Sequence, residues 1–141
     1  MVNDGSTDDG ATEAIARSCG DRIRYFHKKN GGVASALNLA LHEAQGEYFC
    51  WLSHDDEYLP RKIEKQVAFI ETLPESGAVV FSRYRTIDQT GWILDEVGAP
   101  DGFRPDSIAY SLVLSQWLHC CTILAPRWMY LESGLFREEL L

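Results

Sequence analysis

The run Tyr48-Phe49-Cys50-Trp51-Leu52 constrains the fold more than any other feature of this chain. It is apolar at every position, and a strand of this kind needs cover on both faces, which helices give to the inner strands of a parallel sheet. The run ends on the polar residues Ser53-His54-Asp55-Asp56. We therefore predict a buried inner strand over 48–52 whose carboxyl end carries two carboxylates.

Helix and strand patterns alternate on both sides of this run. Before the run, we predict a helix through Ala11, Ala14, Ile15 and Arg17 that Asp8 or Asp9 caps, a strand from Arg22 to His27, and a helix from Val33 that stops at Gly46. After the run, we predict a helix that has Pro60 in its first turn, buries a face of Ile63, Val67 and Ile70, and ends at Pro74. A strand from Ala78 to Ser82 follows that helix. Such alternation predicts an α/β fold with an open, mixed but mostly parallel sheet flanked by helices. Ligands of such sheets bind at the carboxyl ends of the strands.

The pattern loosens beyond residue 84. We predict a strand-turn-strand excursion around residues 86–92, an irregular loop from Gly98 to Pro105 and a helix from Asp106 to Gln116. A strand from Leu118 to Ala125 and a short helix from Pro126 to Gly134 complete the expected order. The 141 residues, 45% of them hydrophobic, suit a single domain.

The formal net charge of -8 disfavours nucleic acid or an anionic membrane as the main partner, because both attract positive proteins. A bound phosphate would need local help from a metal ion, from backbone N–H groups at a helix start, or from Lys28 and Lys29. The sequence has neither a signal peptide nor an apolar stretch of membrane-spanning length. We predict a cytoplasmic location, with a peripheral position at the inner membrane left open.

The four cysteines show no C-x-x-C spacing, which favours buried, reduced thiols. A zinc site would have to draw on His119, Cys120 and Cys121. Because adjacent side chains of a strand point to opposite faces, the predicted strand over 118–125 disfavours one shared ion. His54 and His119 are interpreted as packing or loop hydrogen-bonding residues.

Three short polar segments follow predicted strands. Asp55 and Asp56 suit a hard cation such as Mg²⁺ or Mn²⁺, although an Asp-Asp pair before a proline-initiated helix equally suits a turn and helix cap. Asp4-Gly5-Ser6 offers a carboxylate beside a tight turn, suited to a nucleobase or ribose, and Asn30-Gly31-Gly32 offers free N–H groups for a phosphate. Each also reads as an ordinary loop, but all three are expected at one edge of the sheet.

The order and spacing of these segments resemble family 2 glycosyltransferases. The resemblance rests on Asp4-Gly5-Ser6-Thr7-Asp8, Asn30-Gly31-Gly32 continuing to Asn38, Gly46-Glu47-Tyr48, Asp55-Asp56 before Leu59-Pro60, His119-Cys120 with Pro126-Arg127, and Gly134-Leu135-Phe136. It implies a GT-A (Rossmann-like) fold and inverting, metal-dependent (Mn²⁺ or Mg²⁺) transfer of a sugar from a nucleotide-diphosphate donor, expected to be a UDP-sugar, to an acceptor hydroxyl. The implied setting is bacterial cell-surface polysaccharide synthesis, with a saccharide or lipid-linked acceptor.

The resemblance also implies roles for single residues. Asp4 would meet the nucleotide base, and Gly5 would also belong to the nucleotide-sugar site. Gly32 to Asn38 would position the nucleotide-sugar, and Asp55 would contact the ribose. The metal-diphosphate would lie on Asp55 and Asp56. His119 and Cys120 would lie under the acceptor, so that 1–84 form a nucleotide-sugar-binding part and 85–141 an acceptor-side part.

Three departures from the family pattern are expected to matter. First, Ser53 stands where many relatives have an aspartate. Second, the family's first strand and helix would precede the Asp4 loop. Third, the catalytic aspartate, which acts as the general base, would follow Leu141. Other acidic residues are interpreted as solvated loop charges rather than bases; these are Asp88, Asp95, Glu96 and Asp101. Three alternatives stay open: an inactive nucleotide-sugar-binding module, a homo-oligomer built through an exposed sheet edge, and a nucleotidyltransferase.

Overall fold

The structure, a computed structural model, describes residues 1–74, 77–99 and 118–140. The chain divides into two compact units, Met1–Phe49 with Arg127–Leu141 (unit 1) and Cys50–Pro126 (unit 2). Helices and strands alternate along the chain, which confirms the α/β class. The predicted open, mostly parallel sheet is not confirmed by the described strands.

The elements are short. In chain order the described strands are β1 Val2–Asn3, β2 Phe26–His27, β3 Tyr48–Phe49, β4 Tyr84–Ile87, β5 Ile93–Val97 and β6 Ala125–Pro126. The described α-helices are α1 Ala11–Ser18, α2 Gly32–Glu43, α3 Lys62–Ile70 and α4 Arg127–Glu132. Described 3-10 helices cover Gly20–Arg22, Cys120–Thr122 and Glu138–Leu140. Among the described residues, no helix has the length and apolar character needed to span a membrane.

Helix α2 is the centre of unit 1. Its inner face carries the buried residues Ala34, Leu37 and Leu41, of which Leu41 is 0% exposed. The helix packs on β1, on α4 and on the 3-10 helix Glu138–Leu140. The guanidinium of Arg127 donates a hydrogen bond to the carbonyl of Leu41 at 3.2 Å, so α4 is held against the end of α2 by a polar contact as well as by packing.

Aromatic packing extends this core toward the C-terminus. Phe49 meets Tyr130 edge-on at 5.4 Å between ring centroids, and Tyr130 stacks on Phe136 at 5.6 Å. Contacts of this kind add about 0.5–1.5 kcal/mol each beyond the area they bury. Phe136, which follows α4, therefore packs against the core of unit 1.

Asn38 links α2 to the same segment. Its Nδ2 donates to the carbonyl of Phe136 at 2.9 Å and to Oε1 of Glu138 at 2.8 Å, while its Oδ1 accepts from the N–H of Phe136 at 2.9 Å. The residue is 8% exposed. A buried amide whose donors and acceptor are all used by one segment holds that segment in a single register.

Unit 2 combines a helix with a hairpin. In α3, Gln66 and Ile70 are buried, and Nε2 of Gln66 donates to the carbonyl of Thr122 at 2.7 Å. Val80 and Leu124 form an isolated antiparallel bridge. Strands β4 and β5 pair antiparallel, and Asp88 shapes their turn by accepting from the N–H groups of Thr90 at 2.8 Å and Trp92 at 3.0 Å.

Several helix predictions are confirmed. Helix α1 occupies the expected residues, and Oδ2 of Asp8 accepts from the N–H of Thr12 at 2.9 Å, so Asp8 binds an N-terminal donor as expected. Helices α2, α3 and α4 lie within one or two residues of their predicted starts. The hairpin around residues 86–92 is also confirmed. The predicted helix 106–116 and residues 100–105 of the predicted loop lie outside the described residues.

The predicted strand over 48–52 is wrong beyond Phe49. Strand β3 covers Tyr48–Phe49 alone, and Leu52 is 47% exposed. The hydroxyl of Tyr58 donates to the carbonyl of Trp51 at 2.7 Å, so a side chain takes the place of a neighbouring strand there. The apolar character of residues 48–52 therefore did not predict the length of the strand correctly.

Three other strand predictions are too long. The segment from Arg22 to His27 begins in a 3-10 turn and becomes a strand only at Phe26–His27. Between Ala78 and Ser82 only the bridge at Val80 is formed. The segment from Leu118 to Ala125 contains a 3-10 helix because both the N–H and the hydroxyl of Thr122 donate to the carbonyl of His119, at 2.9 and 2.6 Å.

We predict that Asn38→Ala loosens the residues after α4. The substitution leaves the N–H of Phe136 without its buried acceptor, at a cost of about 1–3 kcal/mol. Amide hydrogen exchange at Phe136 should then accelerate at least about tenfold. His42→Ala, an exposed change on the same helix, is the control and should leave that rate unchanged. Equal exchange at Phe136 in wild type and Asn38→Ala would contradict this role.

Candidate functional site

Parallel pairing brings two loops of unit 1 together. Val2 pairs with Phe26 and Asn3 with His27, so the loops that leave β1 and β2 start at the same edge. Asp4 lies in the first loop, and Lys28 and Gly31 lie in the second. The sequence-based expectation that these loops share an edge is thus met within unit 1.

The carboxylate of Asp4 ties these loops to each other. Its Oδ1 accepts from Nζ of Lys28 at 2.7 Å and from the N–H of Gly31 at 3.1 Å, and its Oδ2 lies 3.3 Å from the same N–H. We call Asp4, Lys28 and Gly31 the Asp4 cluster. Lys28, which the sequence suggested as a phosphate cation, is thus also the counter-ion of Asp4.

The environment of Asp4 keeps it ionised. Partial burial raises the pKa of its carboxyl, but the hydrogen bonds from Lys28 and Gly31 and the charge of Lys28 outweigh that effect, so the pKa lies below its ordinary value. Asp4 is therefore a fixed hydrogen-bond acceptor at neutral pH. Such a group can accept from the N–H of a base or the hydroxyl of a ribose.

Glycine is required beside Asp4. Gly5 has φ +75°, and a Cβ there would lie 2.7 Å from the backbone N of Asn30. A side chain at this position would be strained in the left-handed conformation and would also collide with the backbone of Asn30. Gly32, the first residue of α2, also has a positive φ of 83°.

Asn3 supports the first loop, and sequence reasoning missed it. It is 6% exposed, its Oδ1 accepts from the N–H of Ser6 at 2.8 Å, and its Nδ2 donates to the hydroxyl of Tyr25 at 2.9 Å. The Asn3-x-x-Ser6 spacing is a local turn signal that could have found it.

The two aspartates after β3 have different surroundings. The side chain of Asp55 is 73% exposed and its Oδ1 lies 3.8 Å from Nδ1 of His54, which is itself 96% exposed. Asp56 is half-buried, and its N–H donates to the carbonyl of Ser53 at 3.3 Å. Helix α3 has Arg61 at its N-cap and no side-chain cap, so the helix-cap interpretation of this pair is wrong, whereas the turn is real.

Asp56 meets residues far along the chain. A carboxylate oxygen of Asp56, a ring nitrogen of His119 and Sγ of Cys121 all lie within 4.8 Å of one another. Nδ1 of His119 is 3.0 Å from Sγ of Cys121. We call these three residues the Asp56 cluster.

The strand premise of the argument against a shared zinc ion is wrong, because Cys120–Thr122 is a 3-10 helix. Of the three residues considered for zinc, His119 and Cys121 belong to the Asp56 cluster and Cys120 does not. Cys120, the adjacent thiol, lies farther from Nδ1 of His119, at 3.8 Å. His119 also packs against the ring of Tyr84 at 5.6 Å, which agrees with the packing role expected for it.

Electrostatics within the Asp56 cluster oppose ionisation of the thiol. Burial, and next the charge of Asp56, raises the pKa of Cys121 to about 11. Oδ2 of Asp56 is buried and has no hydrogen-bond partner among the described residues. A buried carboxylate oxygen in this condition costs free energy unless a cation or donor reaches it.

A lysine and a tyrosine lie beside this region of unit 2. Nζ of Lys62 is buried and lies 4.0 Å from the ring centroid of Tyr58, and burial lowers the pKa of Lys62. Burial, and next the neighbouring Cys50, raises the pKa of Tyr58. Nothing in the sequence distinguished Lys62 from the solvated lysines of an ordinary helix.

Other predicted site residues have simpler places. Asn38 is occupied by the C-terminal segment described above, so its contact with a donor stays a prediction. Asp95 and Glu96 are exposed on β5, where Glu96 pairs with Arg85 at 3.0 Å. Asp101 lies outside the described residues.

The comparisons with known proteins agree with one another. The sequence matches a family model described as Glycosyl transferase family 2 over residues 1–127. An uncharacterized glycosyltransferase of Rickettsia felis is 45% identical over 99% of this chain and 24% of its own length. The putative teichuronic acid biosynthesis glycosyltransferase TuaG of Bacillus subtilis is 31% identical, over 90% of this chain and 49% of its own length.

Chondroitin synthase of Pasteurella multocida is 36% identical over 99% of this chain and 14% of its own length. The chain thus spans about a quarter of the Rickettsia felis relative and less of the synthase. Because the family model covers well over half of the residues, this chain belongs to glycosyl transferase family 2.

Proposed function

We propose that this chain forms the donor-binding core of a glycosyltransferase that moves a sugar from a UDP-sugar to an acceptor hydroxyl, with a divalent cation and with inversion. The observation that carries the proposal is the Asp4 cluster at the shared edge of β1 and β2. Membership of the family supports the class of reaction. A GT-A sheet, open and mostly parallel, is the architecture we propose for the domain.

Asp4 is proposed to recognise the base. A uracil ring presents an N–H donor that an ionised carboxylate accepts, and the Lys28 and Gly31 contacts hold Asp4 ionised and oriented before the donor arrives. Gly5, which has no side chain, lets the Asp4 loop lie close to Asn30, and we propose that this keeps Asp4 in place for the contact with the base. Gly32 at the start of α2 is proposed to place backbone N–H groups near the phosphates.

The diphosphate is proposed to lie near Asp55 and Asp56. Oδ2 of Asp56, buried and without a partner among the described residues, fits a cation at that position. A bound divalent cation would act as a Lewis acid for the charge that develops on the departing diphosphate. Asp55, being exposed, is free to reach a ribose hydroxyl.

The acceptor side is proposed to include His119 and Cys120. The acceptor is proposed to be a saccharide or lipid-linked saccharide, since relatives are named for teichuronic acid biosynthesis and chondroitin synthesis. Cell-surface polysaccharide synthesis in the cytoplasm, at the inner membrane, is the corresponding setting. We assign no general base among the described residues.

We predict that Asp4→Asn weakens UDP binding. Loss of a charge-assisted hydrogen bond costs about 1.5–3 kcal/mol, so the Kd for UDP in calorimetric titration should rise about 10- to 100-fold. The preference for UDP over CDP should fall as well, because a cytosine ring lacks the N–H that Asp4 accepts from. Asp21→Asn, the same charge change on an exposed residue of unit 1, is the control. Unchanged UDP affinity in Asp4→Asn would refute the base-binding role.

We also predict that Lys28→Met changes the pH dependence of UDP binding. Removing the cation and its hydrogen bond raises the pKa of Asp4, so the carboxyl becomes protonated at a higher pH as the solution is acidified. UDP affinity should therefore be lost at a higher pH than in wild type. Lys29→Met, which removes a neighbouring exposed cation, separates this effect from a general loss of positive charge. Coincident acid limbs for wild type and Lys28→Met would count against the mechanism.

A further inference from the structure

We propose that Asp56, His119 and Cys121 bind a thiophilic divalent cation of the Zn²⁺ class in preference to Mg²⁺ or Mn²⁺. The sequence pointed to Asp55 with Asp56 as metal ligands, and the fold places His119 and Cys121 near Asp56. The inference deepens the proposed function by naming the class of cation. The statement that the cation meets a diphosphate rests on the proposed function. Binding of the cation itself does not, because it can be measured without the nucleotide-sugar.

The first support is the geometry of the three donors. They come from two segments of unit 2, the turn after β3 and the 3-10 helix Cys120–Thr122 with its N-cap His119, and lie within 4.8 Å of one another. Two ligands of one tetrahedral zinc ion lie about 3.5 Å apart, given bonds of about 2.0 to 2.3 Å. The donors thus need only side-chain adjustments of about 1 Å to share an ion.

The second support is the chemistry of the donor atoms. Mg²⁺ selects near-octahedral oxygen ligands, and a cysteine sulfur is a poor ligand for it. One carboxylate oxygen, one imidazole nitrogen and one sulfur form the mixed set that Zn²⁺ and Co²⁺ accept. Coordination requires the Cys121 thiol to release its proton to solvent, so that sulfur binds as thiolate.

The third support is the unpaired oxygen of Asp56. Contact between Nδ1 of His119 and Sγ of Cys121 explains those two groups as a hydrogen-bonded pair. It does not explain Oδ2 of Asp56, which is buried without a hydrogen-bond partner among the described residues. A cation held by His119, Cys121 and this oxygen of Asp56 would account for all three groups.

Three protein ligands also leave room for a reacting group. A zinc-class ion with three side-chain ligands keeps a fourth position for water or a substrate oxygen. An oxygen of the donor diphosphate is the ligand that the proposed function would bring there. The site is thus of the open type, rather than the closed four-ligand type of a purely structural zinc.

The test is titration of the 141-residue chain with Co²⁺ in the absence of nucleotide. The wild-type protein should develop S–Co²⁺ charge-transfer absorption together with the strong visible bands of tetrahedral cobalt, and Zn²⁺ should abolish both. Mg²⁺ in large excess should not. Cys121→Ser should lose the charge-transfer absorption and should lower the Co²⁺ affinity at least about 10-fold. Asp56→Asn should also lower the Co²⁺ affinity at least about 10-fold.

Matched controls exist beside each ligand. Cys120→Ser removes the neighbouring thiol and Asp55→Asn the neighbouring carboxylate, and both should retain the cobalt spectrum. Cys121→Asp should still bind a divalent cation but shift the preference toward Mn²⁺, since an oxygen replaces the sulfur. Far-ultraviolet circular dichroism of each variant shows whether it has folded.

Distinct outcomes overturn the inference. A cobalt spectrum without sulfur charge transfer, or one that survives in folded Cys121→Ser, removes the thiolate from the site. Displacement of Co²⁺ by Mg²⁺ at similar concentrations would indicate an oxygen site instead. Failure of UDP binding with an intact cobalt spectrum would contradict the proposed transferase function and leave the cation site standing.

Discussion

Parallel pairing of Val2–Asn3 with Phe26–His27 is the constraint on which the candidate base site depends. Two parallel strands leave their loops at one edge, and in this arrangement Asp4 reaches Lys28 and Gly31. The pairing is two residues long, so the loops add to it: the Asp4 carboxylate binds across them, and Gly5 permits their close approach. The contacts that would recognise a ligand therefore also stabilise the strand pair.

The Asp56 cluster follows a different principle. No regular strand brings Asp56, His119 and Cys121 together; a turn after β3 and a 3-10 helix do so. The hydroxyl of Tyr58 donates to the carbonyl of Trp51, just beyond the end of β3. Ser53 to Asp56 then form a turn in which Asp56 is half-buried while Asp55 is exposed. Two adjacent aspartates thereby acquire different chemistry.

The helices could be predicted from the sequence because they depend on nearby residues. The spacing of Leu37 and Leu41 and the position of Gly32 describe α2 without reference to the rest of the chain. Strand lengths could not be predicted in this way. Whether Cys50 to Leu52 form a strand depends on which partners their backbone groups find, and the carbonyl of Trp51 finds the hydroxyl of Tyr58, outside the run. The same applies to Leu118–Ala125, where Thr122 turns the chain.

The sequence by itself determined the α/β order, the glycine positions and the motif series that resembles the family, because these are properties of neighbouring residues. Only the tertiary structure decided that Lys28 is the partner of Asp4, that Asn38 binds Phe136, and that Cys121 and His119 lie at Asp56. The physical reason is that these contacts join residues 24, 98 and more than 60 positions apart. Their energy depends on distance in space and on burial, and neither quantity is encoded in local spacing.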